Sequence, residues 1–238
     1  MTLQEIIDNS DHIVFFGGAG VSTESNIPDF RSADGLYNQK YKYPPEVILS
    51  HTFFMNETEE FFRFYRDRML YPDAKPNAAH YALAKLEKKG KLKAVITQNI
   101  DGLHQAAGSN RVFELHGSVL RNYCMKCGRL HGVNAIQNST GIPRCSCGGI
   151  IKPDVVLYGE PLDEYMMRMA DAFVMASDVF IVGGTSLSVY PASRLIDQYM
   201  RNKLVVINKS PSPIDEQAAL VINDDIGKIF EELKITVP

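Results

Sequence analysis

The chain has 238 residues, 45% of them hydrophobic and 22% charged, with a formal net charge of −3. That hydrophobic fraction can offset the ordering entropy of a core, which excludes wholesale disorder, and the length suits one large domain with a small insert. The near-neutral charge gives no basis for a general nucleic-acid or membrane-surface binder, and no apolar run approaches the roughly 18 residues of a membrane span.

Residues 1–8 lack the basic and apolar regions of a secretory leader and read as a short amphipathic helix, so the protein is expected in the cytoplasm. His12–Phe16 is an apolar run that ends in Gly17-Gly18-Ala19-Gly20, a buried strand meeting a tight turn. Residues 34–73 are aromatic and charged, with helical spacing and no strand partner. A clear helix follows over Asn77–Lys89, with Ala79, Ala82, Leu83 and Leu86 on one face, Pro76 at its start and Gly90 just past its end. Leu92–Thr97 and Val112–Leu115 are the next strands. Residues 123–152 hold all four cysteines. Beyond them come a helix through Tyr165–Ala176, a strand over Asp178–Val182, a helix over Pro191–Arg201, and strands at Lys203–Ile207 and Ala219–Ile222.

Near-continuous apolar strands separated by helices predict a doubly wound α/β fold, its parallel sheet covered on both faces. The sheet domain is expected from residues 1–33, 74–122 and 153–238. The segments 34–73 and 123–152 break that rhythm and are expected to build a second, smaller module.

The cysteines read Cys124-x-x-Cys127, then Cys145-x-Cys147, each pair followed by glycine. Two such pairs present four thiolates to one tetrahedral zinc ion, and four protein ligands leave no open position, so the metal is expected to be structural. The second pair is one residue shorter than the usual knuckle. The segment lacks the basic stripe of a nucleic-acid ribbon.

Three further segments come off strand ends, where open α/β sheets bind their ligands. The first follows the glycine turn: Ile27-Pro28-Asp29-Phe30-Arg31. The second is Gln98-Asn99-Ile100-Asp101, and the third His116-Gly117. Gly18-Ala19-Gly20 suits a backbone that approaches phosphates, yet Thr23 stands where a dinucleotide fingerprint has its third glycine, which disfavours an ordinary dehydrogenase. Singly, each segment has an ordinary structural explanation. Together, in this order, they converge on one crevice.

These segments, with Pro153–Glu160, Gly184–Val189 and Val206-Ile207-Asn208, make the chain resemble the sirtuin family of NAD-dependent protein lysine deacylases over nearly its whole length. The resemblance implies a Rossmann-like domain beside a module made of a zinc ribbon and a helical insertion. NAD and an acylated-lysine protein or peptide would enter the cleft from opposite sides. Ala19, Gly20, Glu24 and Arg31 would bind the cofactor near its pyrophosphate and ribose, with Phe30 covering the reactive ribose. Gln98, Asn99, Ile100 and Asp101 would shape the nicotinamide pocket. Gly184, Thr185, Ser186, Asn208, Lys209, Asp225 and Ile226 would surround the adenosine half. The acyl oxygen would attack the ribose carbon and nicotinamide would leave, after which His116 would act as general base on a ribose hydroxyl. The substrate backbone would add as a strand between Gly159-Glu160 and Ser188-Val189, with Val156 and Tyr158 lining the lysine tunnel.

The sequence departs from the family pattern at Asn26, which replaces a glycine, and at Leu157-Tyr158, which replaces an aromatic pair. Asparagine tolerates a left-handed backbone, so the turn is expected to survive. Acyl choice turns on the helix Glu60–Arg68. In the preferred register Phe62 and Tyr65 face the acyl group and offer no cation, predicting acetyl or another uncharged acyl. A slip of three residues presents Tyr65 and Arg68, the pair for succinyl or malonyl. A mono-ADP-ribosyltransferase using the same NAD site is the other alternative. A core without tails is expected to be a monomer.

Overall fold

The computed structural model describes residues 1–29, 35, 41–187 and 191–236. In chain order its strands are β1 (Ile13–Gly17), β2 (Leu92–Thr97), β3 (Val112–Glu114), β4 (Gly117–Cys124), β5 (Leu130–Gly132), β6 (Ile151–Val155), β7 (Val179–Gly183), β8 (Leu204–Ile207) and β9 (Leu220–Ile222). The α-helices are α1 (Leu3–Asp8), α2 (Pro45–Ile48), α3 (His51–Asn56), α4 (Thr58–Arg68), α5 (Ala78–Lys88), α6 (Leu103–Ala106), α7 (Asn134–Gln137), α8 (Glu164–Ala176) and α9 (Ile226–Glu231).

Six strands form the main sheet in the order β3-β2-β1-β7-β8-β9, every neighbouring pair parallel. β1, β7 and β8 are buried along their whole length, which is why they read as unbroken apolar runs. One face packs on α1, α5 and α9 through Ile6, Leu83 and Phe230. The other packs on α8 through Met167, Ala170 and Val174. The order reverses between β1 and β7, so a crevice opens outside the carboxyl ends of these strands.

The second module enters the chain at two places. Helices α2–α4 lie between β1 and β2, and an antiparallel sheet in the order β5-β4-β6 lies between β3 and β7. They share one core, in which Phe54, Phe61, Phe62 and Tyr65 meet Val119, Ile151 and Leu157. Phe54 and Phe61 meet edge to face, with centroids 4.9 Å apart.

The expected helix over 191–201 forms only tight 3₁₀ turns over Ala192–Gln198. Tyr199 leaves the spiral in an extended conformation, φ −85° and ψ 105°, and donates its hydroxyl to the Asp178 carbonyl at 2.9 Å.

Helix α5 starts on Asn77, whose Oδ1 accepts from Ala79 N–H at 3.0 Å. Below that cap His80 and His104 are both buried, with ring centroids 4.7 Å apart. Burial pushes the His80 pKa down to about 4, and burial with the neighbouring His80 ring drives His104 well down too. Both are neutral at pH 7. Because the unfolded chain protonates more readily, the pair gives stability that is fully present above about pH 6.5 and is lost as pH falls towards 4. The His80 share is about 3 kcal/mol. Calorimetric Tm measured from pH 7 to 4.5 is expected to fall less steeply in a His80→Gln variant than in the parent. Equal slopes would refute this account.

Candidate functional site

The crevice is a cleft of about 1410 Å³. Its floor is the glycine turn after β1. A Cβ on Gly20 would lie 2.7 Å from Gly184 Cα, and one on Gly184, whose φ is +60°, would lie 2.5 Å from Val21 N. Gly20 N–H donates to the Gly184 carbonyl at 2.8 Å. The two glycines therefore let the loops after β1 and β7 touch backbone to backbone, a demand separate from any phosphate. Asn26 takes φ 62°, the left-handed turn expected of it.

His116 follows β3 and lines the cleft. Its Nδ1 lies 3.0 Å from the Gln98 carbonyl oxygen. A carbonyl only accepts, so Nδ1 carries the proton and Nε2 keeps its lone pair. Burial lowers the His116 pKa, opposed in part by that bond, so the imidazole is neutral at pH 7. Gln98 Nε2 donates to Thr185 Oγ1 at 3.2 Å, and Thr185 N–H to Asn208 Oδ1 at 3.0 Å. The ends of β2, β7 and β8 are thus tied together.

Asp101 Oδ2 accepts from Ser22 Oγ at 2.7 Å, and Oδ1 from Leu103 N–H at 2.9 Å. Ser22 in turn accepts from Asn99 Nδ2 at 3.1 Å. Burial raises the Asp101 pKa, although its hydrogen bonds, those from Ser22 and Leu103 first among them, oppose that. Ser22 is buried and joins two expected site residues, yet it was not among them. Asn77 was missed too: its amide donates to the Val21 carbonyl at 2.7 Å and to Ser25 Oγ at 3.0 Å, steadying the glycine turn. The sequence places Asn77 at the start of a helix but shows neither its cap bond nor this second reach.

Of the expected cofactor residues, Ala19, Gly20, Gln98–Asp101, Gly184–Ser186, Asn208, Lys209 and Ile226 line this one cleft. Asn208 Nδ2 is buried without a hydrogen-bond partner among the described residues, an orphaned donor that suits a nucleotide acceptor. Glu24 and Asp225 do not line the cleft; Glu24 Oε2 accepts from Gly227 N–H at 2.6 Å, and Asp225 pairs with Lys209. Phe30, Arg31, Ser188 and Val189 lie outside the described residues.

Val156, Tyr158, Gly159 and Glu160 border the cleft. The Glu160 carboxylate already accepts from Leu157 N–H, Lys152 Nζ and His51 Nδ1, at 2.9, 3.2 and 2.9 Å. Burial raises its pKa, but these donors outweigh that and hold it low. The acyl pair is placed differently from expectation. Phe62 and Tyr65 are both 0% exposed and do not line the cleft. Helix α4 buries Phe61, Phe62, Phe64 and Tyr65 together, so its apolar stripe faces the core. The end of the helix meets the cleft instead, through Arg68, whose Nε lies 2.7 Å from Asp67 Oδ2 and whose guanidinium sits over the Tyr41 ring.

The four cysteine sulfurs lie within 4.8 Å of one another. Cys124 and Cys147 are 3.4 Å apart and Cys127 and Cys145 3.8 Å, against about 3.8 Å for a tetrahedron with Zn–S near 2.3 Å. A Cβ on Gly149 would lie 2.6 Å from Cys124 Sγ, so only glycine lets this turn close. The donor set fits one zinc ion with no open position.

Comparison with known proteins agrees with this geometry. A model described as the Sir2 family matches residues 18–191. The NAD-dependent protein deacetylase of Clostridium acetobutylicum is 60% identical over 233 residues, covering 96% of this chain and 95% of its own. That of Clostridium tetani is 62% identical over 232 residues, covering 96% and 94%. Among solved structures, a Sir2 with deacetylated p53 peptide and 3'-O-acetyl ADP ribose superposes with TM-score 0.88 at 41% identity, covering 97% and 96%. A Sir2 with p53 peptide and NAD+ gives 0.84 at 40%, covering 97% and 96%.

Proposed function

This chain belongs to the Sir2 family and is an NAD-dependent protein deacetylase; from that premise we propose how its residues divide the work. The reading rests on one observation: a neutral histidine on the cleft wall whose Nδ1 proton is fixed by the Gln98 carbonyl, leaving Nε2 to act as a base. NAD is a co-substrate here: with one water, NAD and the acetyl-lysine give acetyl-ADP-ribose, nicotinamide and the free lysine amine. The turn at Gly18–Gly20, the Gly184–Ser186 loop and the orphaned Asn208 amide hold its adenosine and pyrophosphate side. Asp101, steadied by Ser22 and Leu103, accepts from the nicotinamide carboxamide. His116 Nε2 takes the proton from a ribose hydroxyl once nicotinamide has left.

The lysine substrate enters where Val156 and Tyr158 border the cleft, between the large sheet and the module we assign to residues 34–73 and 123–152. Its backbone adds along Gly159. Glu160, with its carboxylate already committed to three donors, shapes that edge by holding the loop rather than by bonding the peptide. The zinc ion is structural. Four thiolates that must stay reduced to hold it suit the reducing cytoplasm.

Acetyl, or another uncharged acyl group, is the preferred leaving acyl. Tyr65 is buried away from the cleft and Arg68 is already paired with Asp67, so the cation–hydroxyl pair that would receive a succinyl carboxylate is not formed. Matched acetyl-lysine and succinyl-lysine peptides are expected to differ by at least about tenfold in kcat/KM, in favour of acetyl, when nicotinamide and acyl-ADP-ribose are followed by mass spectrometry. That ratio corresponds to about 1.4 kcal/mol. Preferential succinyl removal would keep the chemistry and overturn this acyl assignment.

A further inference from the structure

Only Leu115 and His116 separate β3, the edge strand of the large sheet, from β4 of the small one. The general base therefore sits on the shortest covalent bridge between two sheets, and its place depends on how those sheets are held beside it. Three bonds act on this bridge directly: Leu115 N–H to the Thr97 carbonyl, Val156 N–H to the His116 carbonyl, and His116 Nδ1 to the Gln98 carbonyl, each 3.0 Å. Gly117 lets the chain turn at φ +78°, where a Cβ would lie 2.0 Å from the Asp154 carbonyl oxygen.

A fourth contact spans the bridge from outside. Arg121 Nη1 donates to Glu114 Oε2 at 2.5 Å, and its Nε donates to Asp154 Oδ2 at 2.9 Å. Glu114 ends β3, Arg121 belongs to β4 and Asp154 to β6, so one guanidinium joins the large sheet to the small one across His116. The Glu114 side chain is only 7% exposed, so its charge has left water and needs a partner. A planar guanidinium offers donors in two directions at once, which a lysine ammonium cannot match in geometry.

The strand is shaped to make this contact. Along β4 the pairing with β6 steps from Ser118–Asp154 to Asn122–Pro153, so Val119, Leu120 and Arg121 have no partner residue on β6. Such a bulge bends the strand and re-aims its side chains. Here it turns Val119 and Leu120 to the cleft and Arg121 back to Glu114.

We propose that Arg121 is a positioning residue for His116, a clasp between β3, β4 and β6 that holds the base in register with the ribose hydroxyl it deprotonates. The inference rests on the reading of His116 as general base. A base displaced by about 1 Å can cost on the order of 10²-fold in rate. Losing one of four restraints gives a smaller displacement, and Arg121→Met is expected to lower deacetylation kcat about tenfold.

The effect is specific to a step. Nicotinamide leaves before His116 acts, so peptide-dependent exchange of labelled nicotinamide into NAD does not need the base. In R121M this exchange, and KM for NAD, are expected to stay within about twofold of the parent while kcat falls, and R121K is expected to recover part of kcat. Should R121M fail to fold, the Glu114→Gln/Arg121→Met double variant, which leaves no buried charge unpaired, takes its place. Equal loss of exchange and deacetylation, or no loss of either, overturns the clasp. His116→Tyr run in parallel separates the two readings: if it spares deacetylation the general-base reading fails, and if it abolishes deacetylation while R121M loses both steps equally, only the clasp fails.

Discussion

Replacing His116 by Tyr is expected to lower deacetylation by about 10²–10⁴-fold while zinc content, fold and nicotinamide exchange persist. A phenol with pKa near 10 takes up no proton at neutral pH, whereas the imidazole is held neutral with Nε2 bare. The same geometry fixes the sign of the pH dependence. The base is active only when neutral, and burial lowers its pKa, so turnover should hold through pH 7 and fall only as pH drops below the ordinary histidine value of about 6.5. Exchange should not share that limb at the same pH. Steady-state kcat on an acetyl peptide, beside the exchange rate, measures both claims. Deacetylation near the parental rate in His116→Tyr would sink the assignment.

The parts of this site that could be read from sequence are those with a local cause. β1, β2, β7 and β8 announced themselves because strands covered on both faces have no polar alternation to confuse with a helix. Gln98, Asn99 and Asp101 follow at once from where β2 stops, and His116 from the end of the short strand β3. What stayed hidden has a non-local cause. Ser22 matters because it stands between Asn99 and Asp101, residues 77 and 79 positions away in the chain. Gly20 looked like a phosphate turn, and the structure adds a second demand, contact with Gly184. The i, i+3 spacing correctly put Phe62 and Tyr65 on one face, but spacing does not say whether a face looks into a cleft or a core. On a helix with Phe61 and Phe64 buried as well, the stripe is wide enough to take the core, and the cleft receives only the helix end. The bulge that aims Arg121 has no sequence signal of its own, because it exists only against the register of β6.

Stripping the zinc is expected to cost the small module its fold and the enzyme its activity while leaving the large sheet standing. Metal held by four thiolates in comparably small modules contributes about 10–16 kcal/mol of apparent binding free energy, which is folding free energy where the site does not exist before the metal binds. Here Cys124 and Cys145 are buried members of the core that also holds Phe54, Phe61 and Tyr65, so a zinc ion held by these thiolates would brace the packing that orients α4. The main sheet has its own two cores, on α1, α5 and α9 at one face and α8 at the other, and neither includes a cysteine. Chelation under reducing conditions should therefore release one zinc per chain, abolish deacetylation, and leave most of the far-UV circular dichroism. Cys145→Ser should do the same without a chelator, because a hydroxyl is a poor zinc ligand beside a thiolate. The local consequence reaches the base itself: β4 and β6 carry Arg121 and Asp154, and β6 ends at the backbone that holds the His116 carbonyl through Val156. Loss of zinc should then lower the His116-dependent step before it disturbs the adenosine side of the cleft. Full deacetylation by a zinc-free, reduced enzyme would show that the cysteines hold the module without a metal.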